Sequence, residues 1–502
     1  MKKRDDLFHL IKAMSKSEKR YFTLDAKKSS SKGSKYLVLF QAVNDMEIYD
    51  EAKLKKKFGK NLRYDKSYLY EAIMRSMRDY RSANSYAARI KEMILDAQYL
   101  YERGLYEQCG ERLEEAKELA VVLDDQLSLL EVNKAERLLI RQAKGKNYAT
   151  RIVKLVEEKD SFHQSVGVEL KYEDYLDQLY VDVDNRFELK RESEIKEFRE
   201  RYPSSLFENP KVELFGRAKL RFYQSCALYH QLLGNSDQVL QYYSRVVAWW
   251  DEHEKIKIEE FHKYIIDISN LLHGFYSKGA FHEFPKLIGK LEKETPKNHH
   301  DQAVVFQKAT IYKLLYYINT GHSDGIEEVV ASVEEGLDKY QIKSGSRNAL
   351  IFNTSLMLFI QEKFKRSITW NSRIIKGDKY ITRRDIKNGV FLLNLVAVFE
   401  EGEIETFEAF TRKVYRHLRK EGYSEPSRFE SRIINFFKEF YAAPRAELIS
   451  LYRKFREYLN GLRQNPNEKI SLGLDELFLW WVNSKLDRNT IIEQIQKTNS
   501  PK

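Results

Sequence analysis

Cysteine, proline and glycine are all scarce in this chain. Its 502 residues include two cysteines, eight prolines and 21 glycines. Cys109 and Cys226 are too few for a disulfide framework. Both fall at apolar helix positions, so they read as small buried hydrophobes of a reducing compartment. No proline interrupts residues 1–202 or 297–425, a condition that long helices require. Such a shortage of turn formers argues against a β-rich or loop-rich architecture. It predicts an all-α one.

Long apolar runs are missing too. The longest, residues 390–399, spans ten residues and includes Asn394. A bilayer crossing needs roughly 18 or more. The opening stretch MKKRDDLFHLIKAM has a basic tip but an apolar run of only five residues, too short for a signal peptide. No membrane insertion and a cytoplasmic location are therefore expected.

Catalytic signatures are equally thin. The 11 histidines include no i, i+4 pair with a glutamate, the arrangement a zinc protease uses. His253, His262, His273 and His282 are spaced by 9, 11 and 9 residues, which scatters them around helices. No Cys-x-x-Cys occurs, Gly145-Lys146 lacks the rest of a phosphate-binding loop, and Gly-x-Ser-x-Gly is absent. No catalytic, metal-binding or cofactor-binding residue is nominated. The expectation is a non-enzyme without a cofactor.

What is present is hydrophobic residues at 42% and charge at 32%, enough for a core and a solvated helix face. The charge is unevenly placed. Residues 1–82 hold 21 Lys and Arg against 11 Asp and Glu, a net of +10 from a chain total of +11. The 32 Tyr, 28 Phe and five Trp suit seams between packed helices.

A recurring stretch organises the rest, most legible at residues 99–120, YLYERGLYEQCGERLEEAKELA. Gly104 interrupts a helical pattern, and Tyr106, Cys109 and Ala116 follow it by two, five and twelve residues. The template returns at Gly234 (Val239, Val246), Gly279 (Phe284, Leu291), Gly321 (Ile326, Val333) and Gly402 (Phe407, Val414). Weaker forms turn at Glu362 (Ser367, Ile374) and Ala443 (Leu448, Phe455). From Gly234 onward the steps are 45, 42, 41, 40 and 41 residues, a period in the range of stacked helical hairpins. Glycine ends the first helix because the left-handed backbone there is cheapest without a Cβ. The residues five and twelve after the turn are seven apart, about two helical turns, and face the same neighbour.

These residues resemble the tetratricopeptide repeat, whose turn reads Gly-x-Tyr-x-x-Ala with a second Ala seven further on. The small residue that the family places seven before the turn appears as Ala97, Ala227 and Ser355. The period, nearer 41 than 34, departs from the family, and most units lack its closing proline. The resemblance covers roughly residues 83–460. It implies a right-handed α-solenoid of about nine antiparallel hairpins, counting two degenerate ones that turn near Gly145 and Asn185. It also implies a concave side lined by the first helix of each hairpin, where an extended peptide or helix binds. Transferring those positions nominates Arg221, Gln224, Leu228 and Gln231, then Ser269, His273 and Tyr276, and in the first unit Lys91, Gln98 and Tyr101.

Three segments are expected: a basic helical module at 1–82, the array at 83–462, and a linker with closing helices at 463–502. The module should contain helices at 5–14, 16–26, 36–47, 51–58 and 67–83, with a basic loop at 27–35. The last two helices could suggest a helix-turn-helix, but an eight-residue connection, GKNLRYDK, is too long for one. Lys53, Lys55, Lys56, Lys57, Lys60, Arg63 and Lys66 form a basic patch. It reads as a solvated face, a dock for an acidic protein, or a contact for nucleic-acid phosphate. At the other end, Leu474, Leu477, Phe478 and Trp481 share one face and suit a cap on the last hairpin. The leading expectation is a scaffold or regulator that captures a protein partner in a superhelical groove. The alternative is a nucleic-acid-associated regulator acting through the basic module.

Overall fold

Among the residues described by the computed structural model, the chain folds into 26 α-helices and two short 3-10 turns, with no strand. Those residues are 5–28, 35–143, 147–186, 188–189, 191–208, 214, 216–296, 298–377, 384–402, 404–422, 425, 428–464 and 470–499. The chain divides into two compact units, Met1–Gly274 and Phe275–Lys502. No helix among the described residues is long and apolar enough to cross a membrane.

The first unit opens with α1 (Asp6–Ala13), α2 (Lys16–Lys28), α3 (Lys35–Asn44), α4 (Glu51–Phe58) and α5 (Leu62–Ser82). Ser15 and Glu18 cap α2 reciprocally, Glu18 N–H donating to Ser15 Oγ and Ser15 N–H to the Glu18 carboxylate. Leu7, Ile11, Phe22, Leu39, Phe40, Leu54, Leu69 and Ile73 belong to one core that joins all five helices. Helix α5 starts five residues earlier than the sequence pattern predicts. The polar stretch Asp65-Lys66, which reads as loop, is a helical turn whose charges pair inward. Lys66 Nζ lies 2.9 Å from the Glu51 carboxylate and 2.7 Å from the Tyr49 hydroxyl, and Asp65 lies 2.6 Å from Lys35 Nζ. The α4–α5 connection is thus three residues, 59–61, beginning with Gly59 at φ +78°. Much of the basic loop at 27–35 lies outside the described residues.

Hairpins follow. Helices α6 (Tyr86–Glu102) and α7 (Tyr106–Val122) turn at Gly104, whose φ of +75° is the left-handed value the template requires. Next come α8 (Gln126–Ala143) and α9 (Tyr148–Arg186). The expected turn at Gly145 falls outside the described residues, between these two helices. Helix α9 ends near the second expected turn, at Asn185, but it runs 39 residues without a break. What reads as the second helix of one hairpin and the first of the next is a single rod. Its early part packs on α8, where Asn133 Nδ2 donates to Leu155 O at 2.8 Å. Its later part packs on α12 (Gly216–Leu232), where Ser225 Oγ donates to Tyr172 O at 3.1 Å. Lys117 ties α7 to both neighbours through Glu136 at 3.1 Å and Glu158 at 2.7 Å. Two short helices, α10 (Glu192–Arg201) and α11 (Ser205–Glu208), precede α12. Helix α12 then pairs with α13 (Ser236–Glu252) about Gly234. After α14 (Glu254–Glu259), α15 (Phe261–Ser277) carries the chain across the division.

The second unit repeats the theme. Past Gly279 lies α16 (Phe284–Glu292), followed by α17 (His299–Thr320) with α18 (Ile326–Lys339) and α19 (Ser344–Ile360) with α20 (Phe364–Lys376). Then come α21 (Arg384–Glu401) with α22 (Ile404–Lys420) and α23 (Phe429–Ala442) with α24 (Arg445–Gln464). Gly279, Gly321 and Gly402 have φ of +68°, +65° and +73°, and Glu362 takes the same conformation at +57°. The template's packing residues, from Cys109 and Ala116 through Val246, Val333 and Val414 to Phe455, are buried; Leu448 is half-buried. Burying each large aliphatic of this set is worth roughly 1.5–3 kcal/mol. At the α19–α20 crossing the small positions are Ser355 and Ser367, whose hydroxyls meet at 2.8 Å in a site closed to water. Residues 388–398 of α21 are buried on every face, the mark of a core helix.

The chain closes with α25 (Leu474–Asp487) and α26 (Ile491–Asn499). Their reach corrects the expected cap on the last hairpin alone. Helix α25 packs on α24 but also on α21 and α23, while α26 crosses the turns at Gly321 and Glu362.

Candidate functional site

Three places collect the residues that the sequence nominates. The first is the basic end. Lys53, Lys55, Lys56, Lys57 and Lys60 on and after α4, and Arg63 on the first turn of α5, are all exposed. Lys66 is corrected: it is only 4% exposed and serves as an inward tie to Glu51. Lys55 approaches Glu51 at 3.9 Å. Two aromatic side chains stand beside it on α5. Tyr64 is 77% exposed, and Tyr68 stacks on Tyr36 with ring centroids 4.1 Å apart.

The second place is the α12 face in the first unit. Arg221, Gln224 and Leu228, expected to be open to solvent, are buried. The cause is the long rod α9, which covers that face; Tyr172 on α9 packs edge-on against Phe222 at 5.3 Å. The polar groups survive burial because they are chained together, as buried polar groups must be. Arg221 Nη1 donates to Gln224 Oε1 at 3.0 Å, and Gln224 Nε2 donates to Asp267 Oδ2 at 2.7 Å. Trp250 Nε1 donates to the same oxygen at 2.7 Å, and Glu173 lies 3.8 Å from Arg221 Nη2. Burial pushes the Asp267 carboxyl up to about 6, although both donors and Arg221 pull it down. At the edge of this network, burial likewise drives Glu169 up to about 7 against the Arg217 and Arg221 guanidiniums. Glu260 goes the other way: burial alone would raise it, but Arg217 and Lys263 outweigh burial and hold it at about 2.

The remaining nominated positions are dispersed. Ser269 is buried and donates to Ile265 O at 2.7 Å, Gln231 is half-buried, and His273 and Tyr276 are exposed. In the first hairpin Lys91 is exposed and paired with Glu131 at 2.5 Å. Gln98 is exposed too, whereas Tyr101 is half-buried against Tyr106. The sequence pattern did not nominate Asp267 or Trp250. Asp267 sits two residues before Ser269 on an apolar helix, and a carboxylate there is the available signal.

The third place is α25. Eight of its 14 residues are buried, including Leu477, Phe478, Trp480, Trp481 and Val482, so it is enclosed around most of its circumference. The Trp481 ring lies within about 6 Å of the rings of Phe437, Phe440, Tyr452 and Phe455, and its Nε1 donates to Glu400 Oε1 at 2.8 Å. Lys485 Nζ reaches the other Glu400 oxygen at 2.6 Å. Just before α25, Leu472 rests against Gly389, where any Cβ would come within 2.8 Å of its Cδ1. Helix α26 is held at its start by Glu362, whose carboxylate accepts from Ile491 N–H at 3.1 Å.

Among the described residues, no group of three or more His, Cys, Asp or Glu side chains is arranged to hold a metal ion. No family model matches the chain, and neither the curated proteins nor the solved structures contain a match to it.

Proposed function

We propose that the chain is a non-enzymatic adaptor that captures a protein partner on a TPR-like, right-handed solenoid of about nine hairpins. The observation that carries this reading is the seating of α25. Hairpins α21–α22 and α23–α24 grip a helix of their own chain through a deep aromatic socket around Trp481, with Glu400 fixing its register. A surface that holds one apolar helix in this way has the chemistry to hold another, since helix-in-groove recognition uses the same anchors.

The test begins with affinity purification of the full chain and identification of what accompanies it. Binding of each recovered protein is then measured against purified chain, with and without a synthetic peptide of residues 471–499, and with Trp481→Ala. Competition by the peptide, or tighter binding to the Trp481→Ala chain, is the expected result. The reading fails if nothing is reproducibly recovered. It fails equally if partner binding is indifferent to both changes.

A further inference from the structure

We infer that α4 and α5 form a helix-turn-helix that binds double-stranded nucleic acid, α4 on the phosphate backbone and the start of α5 in the groove. In a helix-turn-helix two helices meet through a turn of three or four residues, often with a glycine in it. The first helix crosses the backbone, and the N-terminal residues of the second face base edges. Here the turn is three residues and opens with Gly59 at φ +78° and ψ −158°, a backbone conformation open to glycine. The first helix carries Lys53, Lys55, Lys56 and Lys57, all exposed, and Lys60 lies in the turn.

The first two turns of α5 present Arg63, Tyr64, Ser67 and Tyr68 to solvent. Its opposite face buries Leu62, Leu69 and Ile73 in the core made with the preceding helices. That is the division of labour a groove-reading helix requires. The short turn and the orientation of α5 depend on the inward pairing of Lys66 with Glu51 and of Asp65 with Lys35. The same pairing withdraws two carboxylates from the outward face. Lys53, Lys56, Lys57, Lys60 and Arg63 are exposed, Lys57 Nζ lying 5.7 Å from the centroid of the Phe58 ring, so their charge faces solvent. The exposed carboxylates nearest in sequence stand at the margins: Glu47 and Asp50 precede α4, and Glu71 follows two turns into α5. A polyanion with phosphates along a groove fits this layout, with the cations as point contacts and Tyr64 and Arg63 at its centre.

The experiment is fluorescence anisotropy of the full chain with a labelled mixed-sequence DNA duplex, titrated at several salt concentrations. Six cation–phosphate contacts, from Lys53, Lys55, Lys56, Lys57, Lys60 and Arg63, predict a log K against log salt slope of roughly −5, so affinity should fall about a thousandfold or more between about 50 and 200 mM salt. Replacing Lys53, Lys56, Lys57 and Lys60 together with Gln should weaken binding at least about tenfold at low salt and flatten the slope by three to four, roughly one per lost contact. Its helical melting curve should match that of the unaltered chain. Arg63→Ala and Tyr64→Ala, tested singly, should each weaken binding, and only Arg63→Ala should change the slope. Absence of duplex binding at the lowest salt overturns the proposal, as does equal binding by the four-lysine variant. Displacement of the duplex by polyglutamate at equal charge concentration also overturns it, because the surface would then be a dock for acidic protein. Preference for single strands over duplex removes the groove-reading role and counts against it too.

Discussion

Glu362 occupies a left-handed turn position that is glycine in five comparable hairpins, at φ +57°. Holding a residue with a Cβ there costs on the order of 1 kcal/mol, and the return is its carboxylate on the first amide of α26. Glu362→Gly should therefore change global stability by no more than about 1 kcal/mol, because relief of the turn offsets loss of the cap. Amide exchange in α26 should nevertheless speed up, which hydrogen-exchange mass spectrometry would read. Asp267 offers a second residue-scale test. Its carboxyl moves from an ordinary 3.8 up to about 6 in the fold. Between those values the folded chain keeps a proton that the unfolded chain releases. The stabilisation is complete below the lower value and is lost as pH rises through the upper one. Asp267→Asn, whose amide oxygen can accept from both Trp250 and Gln224, should flatten urea stability across pH 4–6 by roughly 1.4 kcal/mol per unit. Glu169, raised to about 7, should leave a residual slope of the same sign. Glu260 acts in a separate window, withdrawing stability as pH falls from 4.5 through about 2.

Helices in this chain take their stability from neighbours, so damage should stay near its source. Trp481→Ala empties the aromatic socket of α25 and should cost about 3–5 kcal/mol. Val333→Asp places a charge in a seam where Val333 is 0% exposed, and should cost about 3 kcal/mol or more. Hydrogen exchange should place both losses in the second unit, with α12 and α13 still protected. A uniform loss across all helices would contradict hairpin-by-hairpin stability. This locality also explains what could be read from the sequence. The turns at Gly104, Gly234, Gly279, Gly321, Glu362 and Gly402 were legible because each needs one backbone conformation and two packing residues at fixed distances. The unbroken rod α9 was not, because nothing local distinguishes a helix that ends at a turn from one that continues along a new neighbour. Polar residues misled for one shared reason. Arg221 and Gln224 look solvated until Asp267 arrives 43 residues after Gln224, and Lys66 looks solvated until Glu51 is brought beside it. Pairing across the fold leaves no mark on periodicity.

At the scale of the whole molecule, charge and packing are partitioned differently. Residues 1–82 carry ten of the eleven net positive charges, and their core is a cluster of its own. Removing them should bring the isoelectric point from about 9.1 toward neutrality. It should also abolish salt-sensitive association, since exposed charges are screened within about 8 Å at physiological salt. Isoelectric focusing and salt titration of the shortened chain check both, and a salt-sensitive association that persists would locate the binding charge elsewhere. The embrace of α25 and α26 has a consequence in time. A ribosome makes Glu400 81 residues before Trp481, roughly 4–16 s at 5–20 residues per second. Over that interval Phe437, Phe440 and Phe455 emerge with no tryptophan to close over them. The nascent chain passes through a stage with an open aromatic socket, so a stalled or prematurely terminated product would present to chaperones and proteases a greasy hollow that the finished protein conceals.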